Sequence, residues 1–347
     1  MKVLLVEDSW SVLSYLMEIL RAEPDMEVLP PVTDGLGAVA AAEKLKPDII
    51  LMDLRLPLLD GVSAIQRIMT RTPCPIVVLS AHLQSPTGDR TFESLAAGAV
   101  DVLAKPEGTG PAEVAGFRER LLRTLRLMVG ARVVRRRPGK GDEAWVPPAM
   151  EEDAATFRPS LILLGTSTGG PPLLRRILEE VPVGNTVPIA IAQHIIPGFE
   201  PGLARWLSET GHLVEVARAG DRLLEGKVYL SPADGHLVVR GGTWSVVPAE
   251  GPGVVPSVDL LFESAARTMG RHVAAFLLTG MGRDGAAGLL ALRQVGAFTA
   301  TQKGDTCVVN GMPEAGRALG GSMHELTPDQ IAAAITAMGA PPQPVAS

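Results

Sequence analysis

The chain has 347 residues and a mass of 36.5 kDa, beyond the size at which a single hydrophobic core keeps growing, so two domains are expected. A composition of 46% hydrophobic and 20% charged residues excludes a disordered chain. A formal net charge of -6 supplies no positive field for a phosphate backbone, which argues against nucleic acid as a partner.

The N-terminus, MKVLLVEDSW, has an apolar run too short for a signal segment or a membrane span. Cys74 and Cys307 lie far apart and outside any CxxC spacing, which suits a reducing compartment. A cytoplasmic protein with no membrane insertion is expected. Up to about Leu127, short apolar runs alternate with amphipathic stretches, the pattern of β-α units and a parallel sheet. Strands are predicted over 2–6, 27–33, 48–52, 75–80 and 99–103, and helices over 9–22, 36–45, 62–71 and 90–97, with Pro111 opening a last one. Five such units make a flavodoxin-like domain over 1–127.

Residues 128–157 read as a linker, with prolines, glycines and blocks of each charge in place of periodic hydrophobicity. Its Arg135, Arg136 and Arg137 are read as a solvated segment or a docking patch for an acidic partner. A second domain over 158–347 follows. Its strands are predicted over 160–164, 187–193, 227–230, 236–239, 244–247, 273–278 and 297–301, and its helices over 171–180, 256–269, 286–295 and 328–338. Gly241-Gly242 between two strand-like runs predicts an antiparallel hairpin at one edge of a doubly wound, mostly parallel α/β domain.

In open parallel sheets, ligands gather at the carboxyl ends of the strands. In the first domain those ends carry Glu7 and Asp8, Asp53, Ser80, and Lys105 followed by Pro106. Three convergent carboxylates repel one another unless a cation sits among them, and an all-oxygen set suits Mg²⁺. One carboxylate can then become an aspartyl phosphate, with the hydroxyl and the ammonium as donors to the phosphoryl oxygens. The constellation resembles the receiver domain of bacterial response regulators. The resemblance implies phosphorylation at Asp53, support from Ser80 and Lys105, and Mg²⁺ on Glu7, Asp8 and Asp53. Val102 stands where receivers often carry an aromatic residue.

In the second domain, Gly165-Thr166-Ser167-Thr168-Gly169 satisfies G-x-S-x-G, a strand-to-helix turn that lifts a serine hydroxyl above a sheet. Such a turn also suits phosphates or dinucleotides, although position 187, where a ribose-binding acid would fall, is Val. His194 closes VPIAIAQH, and Asp284 lies beyond VAAFLLTG, so an alcohol, an imidazole and a carboxylate fall at three strand ends. Their order, Ser, His, Asp, differs from that of α/β-hydrolases. Histidines 82, 212, 236, 272 and 324 are set aside as surface or core residues.

GTSTGG, AQH, LTGMGRDGAAG and CVVNGMP together are similar to the chemotaxis protein-glutamate methylesterase family (CheB). The resemblance implies a catalytic Ser167, His194 and Asp284 and places Thr168 and Met281 beside the reaction centre, where their backbone N–H groups are candidates for the oxyanion hole. It implies hydrolysis of γ-glutamyl methyl esters on methyl-accepting chemotaxis receptors, deamidation of receptor glutamines, a chemotaxis histidine kinase as phosphodonor, and no cofactor for the ester chemistry. The chain departs from the family at Ile195-Ile196-Pro197, at GPGVV before PSVD, and at Lys303-Gly304. A receiver-controlled binding module with an inactive or differently directed esterase site is the alternative. A transcriptional regulator is disfavoured, since no helix-turn-helix pattern or basic face follows the receiver.

Overall fold

A computed structural model describes residues 1–80, 89–106, 110–129, 157–250 and 253–339. The predicted linker lies outside them except at its ends, as do its arginine run and His82. The chain forms two compact units, Met1–Pro138 and Gly139–Ser347. Among the described residues no helix is long and apolar enough to cross a membrane.

The first unit contains β1 (Lys2–Val6), α1 (Trp10–Arg21), β2 (Glu27–Val28), α2 (Gly35–Leu45), β3 (Ile49–Asp53), α3 (Gly61–Arg71), β4 (Ile76–Ser80), α4 (Asp89–Ala97), β5 (Asp101–Ala104) and α5 (Pro111–Met128). Strands KVLLV, IILMD and IVVLS are nearly continuous apolar runs because both faces of a parallel sheet are covered. Helix α1 turns Leu13, Leu16, Ile19 and Leu20 inward at helical spacing. Asp34 and Asp60 cap α2 and α3, accepting from the Gly37 and Ser63 amides.

The strand order is β2-β1-β3-β4-β5, so the direction of winding reverses between β1 and β3. Strand β2 covers two residues, where the sequence predicts seven. Pro30 and Pro31 lack the N–H that a ladder needs, and only Val32 rejoins β1, through a bridge to Val6.

The second unit contains β6 (Leu161–Thr166), α6 (Gly170–Glu180), β7 (Ile189–Gln193), α7 (Glu200–Ser208), β8 (Leu213–Val216), β9 (Lys227–Leu230), β10 (Gly235–Arg240), β11 (Thr243–Pro248), α8 (Val258–Met269), β12 (Val273–Leu277), α9 (Ala286–Gln294), β13 (Phe298–Gln302), α10 (Gly311–Ala318), β14 (His324–Leu326) and α11 (Pro328–Gly339). Seven strands form one parallel sheet in the order β14-β13-β12-β6-β7-β9-β8. The chain winds one way from β6 and then returns to β12 on its other side. The switch point therefore lies at β6.

The hairpin β10-β11 is present as a separate two-stranded sheet. Its Leu237, Val239 and Trp244 enter the same core as Leu261, Phe262 and Ala265 of α8. Four elements escape the sequence pattern. β8 and β14 are edge strands of four and three residues with exposed positions, which dilutes the apolar signal. α7 and α10 open with Glu-Pro-Gly and Gly-Met-Pro, which read as turns, although proline is tolerated in a first helical turn.

Helix α8 lies directly on its neighbours. A Cβ at Gly165 of β6 would fall 2.3 Å from Val258 Cγ1, and one at Gly288 of α9 would fall 2.6 Å from Phe262 Cβ. Phe262 is fully buried between them. Truncating it to alanine is expected to cost about 3–5 kcal/mol, read as a lower urea midpoint with an unchanged slope.

Candidate active sites

Two sets of polar side chains stand at strand ends, one in each unit. In the first unit the carboxylates of Glu7, Asp8 and Asp53 come within 4.8 Å of one another. Glu7 and Asp8 follow β1, and Asp53 ends β3, so they flank the switch point. Glu7 and Asp53 are buried and Asp8 is exposed. Lys105 donates to Glu7 Oε2 at 2.6 Å and also to Asp53 Oδ2. Its backbone N–H donates to Ser80 O at 2.8 Å, which brings the Ser80 and Lys105 strand ends together. The Ser9 and Arg55 amides hold the other oxygens of Glu7 and Asp53.

Burial raises the pKa of Glu7, and the hydrogen bond and charge of Lys105 oppose that rise only in part. Three clustered carboxylates make a hard-oxygen donor set that fits Mg²⁺. The five sequence-predicted residues of this site therefore gather at one edge. Val102 sits on β5 opposite Val78.

In the second unit, β6 ends in the turn that carries Ser167. Gly169 takes φ 77° as the cap of α6, a left-handed conformation that glycine adopts without strain. The Ser167 amide donates to Thr279 O at 3.0 Å, and the His194 amide donates to Thr166 O at 3.0 Å. These two bonds fix the Ser167 turn between the ends of β12 and β7. Gly280 follows Thr279, and a Cβ there would fall 2.7 Å from Ser167 Cβ, so the loop holding Met281 lies against the serine. Among the described residues, the Met281 N–H donates to no acceptor. The Thr168 carbonyl accepts from Thr279 Oγ1 at 3.0 Å.

His194 Nε2 lies 2.7 Å from Asp284 Oδ2. The carboxylate accepts three further bonds: from Ser257 Oγ at 3.0 Å, Val258 N at 2.7 Å and Asp259 N at 3.0 Å. The last two amides open α8, so Asp284 also sits at the positive end of a helix. Burial works to raise its pKa, but the His194 bond and the two amides outweigh it and hold the carboxyl below the usual aspartate range. With Nε2 committed to Asp284, Nδ1 is the ring nitrogen left to accept a proton. Ser167 Oγ has no hydrogen-bond partner among the described residues, a common state for a nucleophile before substrate seats.

Several residues of this site were not foreseen from the sequence. Gln193, 3% exposed, donates from Nε2 to Ser167 O at 2.9 Å and to His194 O at 2.8 Å, tying the two turns together. Thr279 is held in turn by Gln302 Oε1, 2.8 Å from its amide. Ser257 is the N-cap of α8, and its place just before a helical run is a signal that could have been read. Gln193 and Gln302 leave no such trace, because each acts across strands.

Comparison with known proteins agrees with this arrangement of units. The CheB methylesterase family model matches residues 162–335, and the response regulator receiver domain model matches residues 3–111. A protein-glutamate methylesterase/protein-glutamine glutaminase of Hahella chejuensis is 38% identical over 96% of this chain and 97% of its own. A protein of the same description from Geobacter metallireducens is 37% identical over 97% of this chain and 98% of its own. One from Myxococcus xanthus is 40% identical over 90% of each. The chain thus belongs to the CheB methylesterase family, with a response regulator receiver domain ahead of the methylesterase domain.

Proposed function

We propose that this chain is a phosphorylation-regulated serine esterase of chemotaxis, working in the cytoplasm, that hydrolyses γ-glutamyl methyl esters of chemoreceptors and deamidates receptor glutamines. The observation that carries this reading is the 2.7 Å contact between His194 Nε2 and Asp284 Oδ2 beside the glycine-rich Ser167 turn. Ser167 Oγ attacks the ester carbonyl carbon while His194 Nδ1 takes its proton. Asp284, kept ionised by its donors, stabilises the imidazolium that results.

The tetrahedral oxyanion is received by backbone N–H groups, for which Met281 and Thr168 are the candidates. Collapse expels methanol, or ammonia from a glutamine, with the proton returned by His194. Water then attacks the acyl-enzyme by the same route and releases the glutamate carboxylate.

In the receiver, an Asp53 oxygen bonds to phosphorus as the bond to a chemotaxis kinase histidine breaks. A Mg²⁺ on Glu7, Asp8 and Asp53 would neutralise phosphoryl charge there. Ser80 and Lys105 donate to the phosphoryl oxygens. A hundredfold activation by phosphorylation needs only about 2.7 kcal/mol of coupling between receiver and esterase.

Four outcomes test the reading. Ser167→Ala abolishes methanol release from a methylated receptor; appreciable release from the folded variant removes the assignment. Asp284→Asn lowers kcat on the order of 10³-fold. Because the Asp284 pKa is lowered, its contribution to stability is complete above the unfolded aspartate value and disappears only as pH falls through the lower folded one. Protonation of Asp284 is therefore expected to take nothing from kcat/KM down to about pH 4.5, read from the acid side of the pH profile. Finally, a small acyl phosphate stimulates ester hydrolysis in the native chain and has no effect on Asp53→Asn.

A further inference from the structure

The histidine set aside on the hairpin, His236, has a partner that leads to the active site. It lies on β10 opposite Val247, and its Nδ1 accepts from the Ser257 backbone N–H at 2.9 Å. Ser257 is where α8 begins. Its hydroxyl accepts from the Leu260 amide at 3.2 Å, so its single proton goes to Asp284 Oδ1 at 3.0 Å. Asp284 meets His194 through its other oxygen. A continuous path of hydrogen bonds thus runs from the hairpin to the base: His236, Ser257, Asp284, His194.

The direction of each bond in this path is fixed. A backbone N–H can only donate, so His236 Nδ1 must be an acceptor and the proton of the neutral ring sits on Nε2. The residue before Ser257 is Pro256, which has no N–H to help anchor the turn. Three of the four donors to Asp284 come from Ser257, Val258 and Asp259. His236 holds the first of those three residues by its backbone N–H.

We propose that His236 is a positioning residue for ester hydrolysis, acting through Ser257 to set the orientation of Asp284 and, through it, of His194. It touches neither substrate nor nucleophile. A small displacement of the α8 cap misaligns the imidazole, and misalignment on the scale of an ångström costs orders of magnitude in rate. The role requires an acceptor at the Nδ1 position and nothing else of the imidazole. This inference rests on the proposed Ser167, His194 and Asp284 chemistry.

The test uses the full chain and methanol release from a methylated receptor. His236→Leu, which removes the acceptor, is expected to lower kcat at least tenfold with KM within twofold. His236→Asn, whose Oδ1 stands near the position of Nδ1, is expected to recover kcat to within threefold of the native chain. Native kcat in the folded leucine variant, or an asparagine variant as impaired as leucine, would overturn the proposal. If leucine does not fold, the comparison passes to His236→Gln, whose acceptor stands one methylene further out. Asparagine well above glutamine sustains the proposal, and equal rates for the two reject it. Ser167→Ala serves as the control. Activity surviving in that variant removes the underlying chemistry, whereas a dead Ser167→Ala beside an unaffected His236→Leu removes only the role of His236.

Discussion

The active-site geometry depends on one partly buried carboxylate. Asp284 accepts from an imidazole, a hydroxyl and two amides at the start of a helix. A charge taken out of water is costly unless its lone pairs are met, and here four donors meet them. Its ionisation is therefore set by the fold, independently of substrate. The direction of the His194 ring follows from that, and with it the nitrogen left outside the Asp284 bond. The ladders β6-β7 and β6-β12 carry the same constraint outward, since Thr166 pairs with Gln193 and Gly165 with Leu277.

The two units place their chemistry by one rule and tune it in opposite senses. Each uses the carboxyl ends of strands beside a reversal in winding. Burial pushes both Glu7 and Asp284 toward the neutral acid. For Glu7 that push, aided by the repulsion of neighbouring Asp53, prevails against the hydrogen bond and charge of one lysine. For Asp284 the donors prevail. An acid cluster short of positive charge is ready to take up a cation and a phosphoryl group. A carboxylate already saturated with donors is suited to a fixed electrostatic role.

Much of this was legible in the chain. Runs such as LILLGT and VAAFL announce strands buried on both faces, and the residues just past them announce what stands at the rim. Ser167, His194, Asp284, Glu7, Asp8, Asp53, Ser80 and Lys105 could all be named that way. Short edge strands could not, because β8 and β14 have too few buried positions to show a period. Neither could the residues that work sideways. Gln193 serves two turns on different strands, and His236 reaches a helix cap 21 residues further along the chain. Their partners are chosen by topology, which leaves no local pattern to read.

Helix α8 lies on glycines of β6 and α9 with no space for even a methyl group, and Val258, whose amide binds Asp284, is one of the side chains pressed there. A helix seated so closely has little room to slide or rotate against the sheet. Switching such an enzyme off by bending its machinery out of shape would mean breaking that seat.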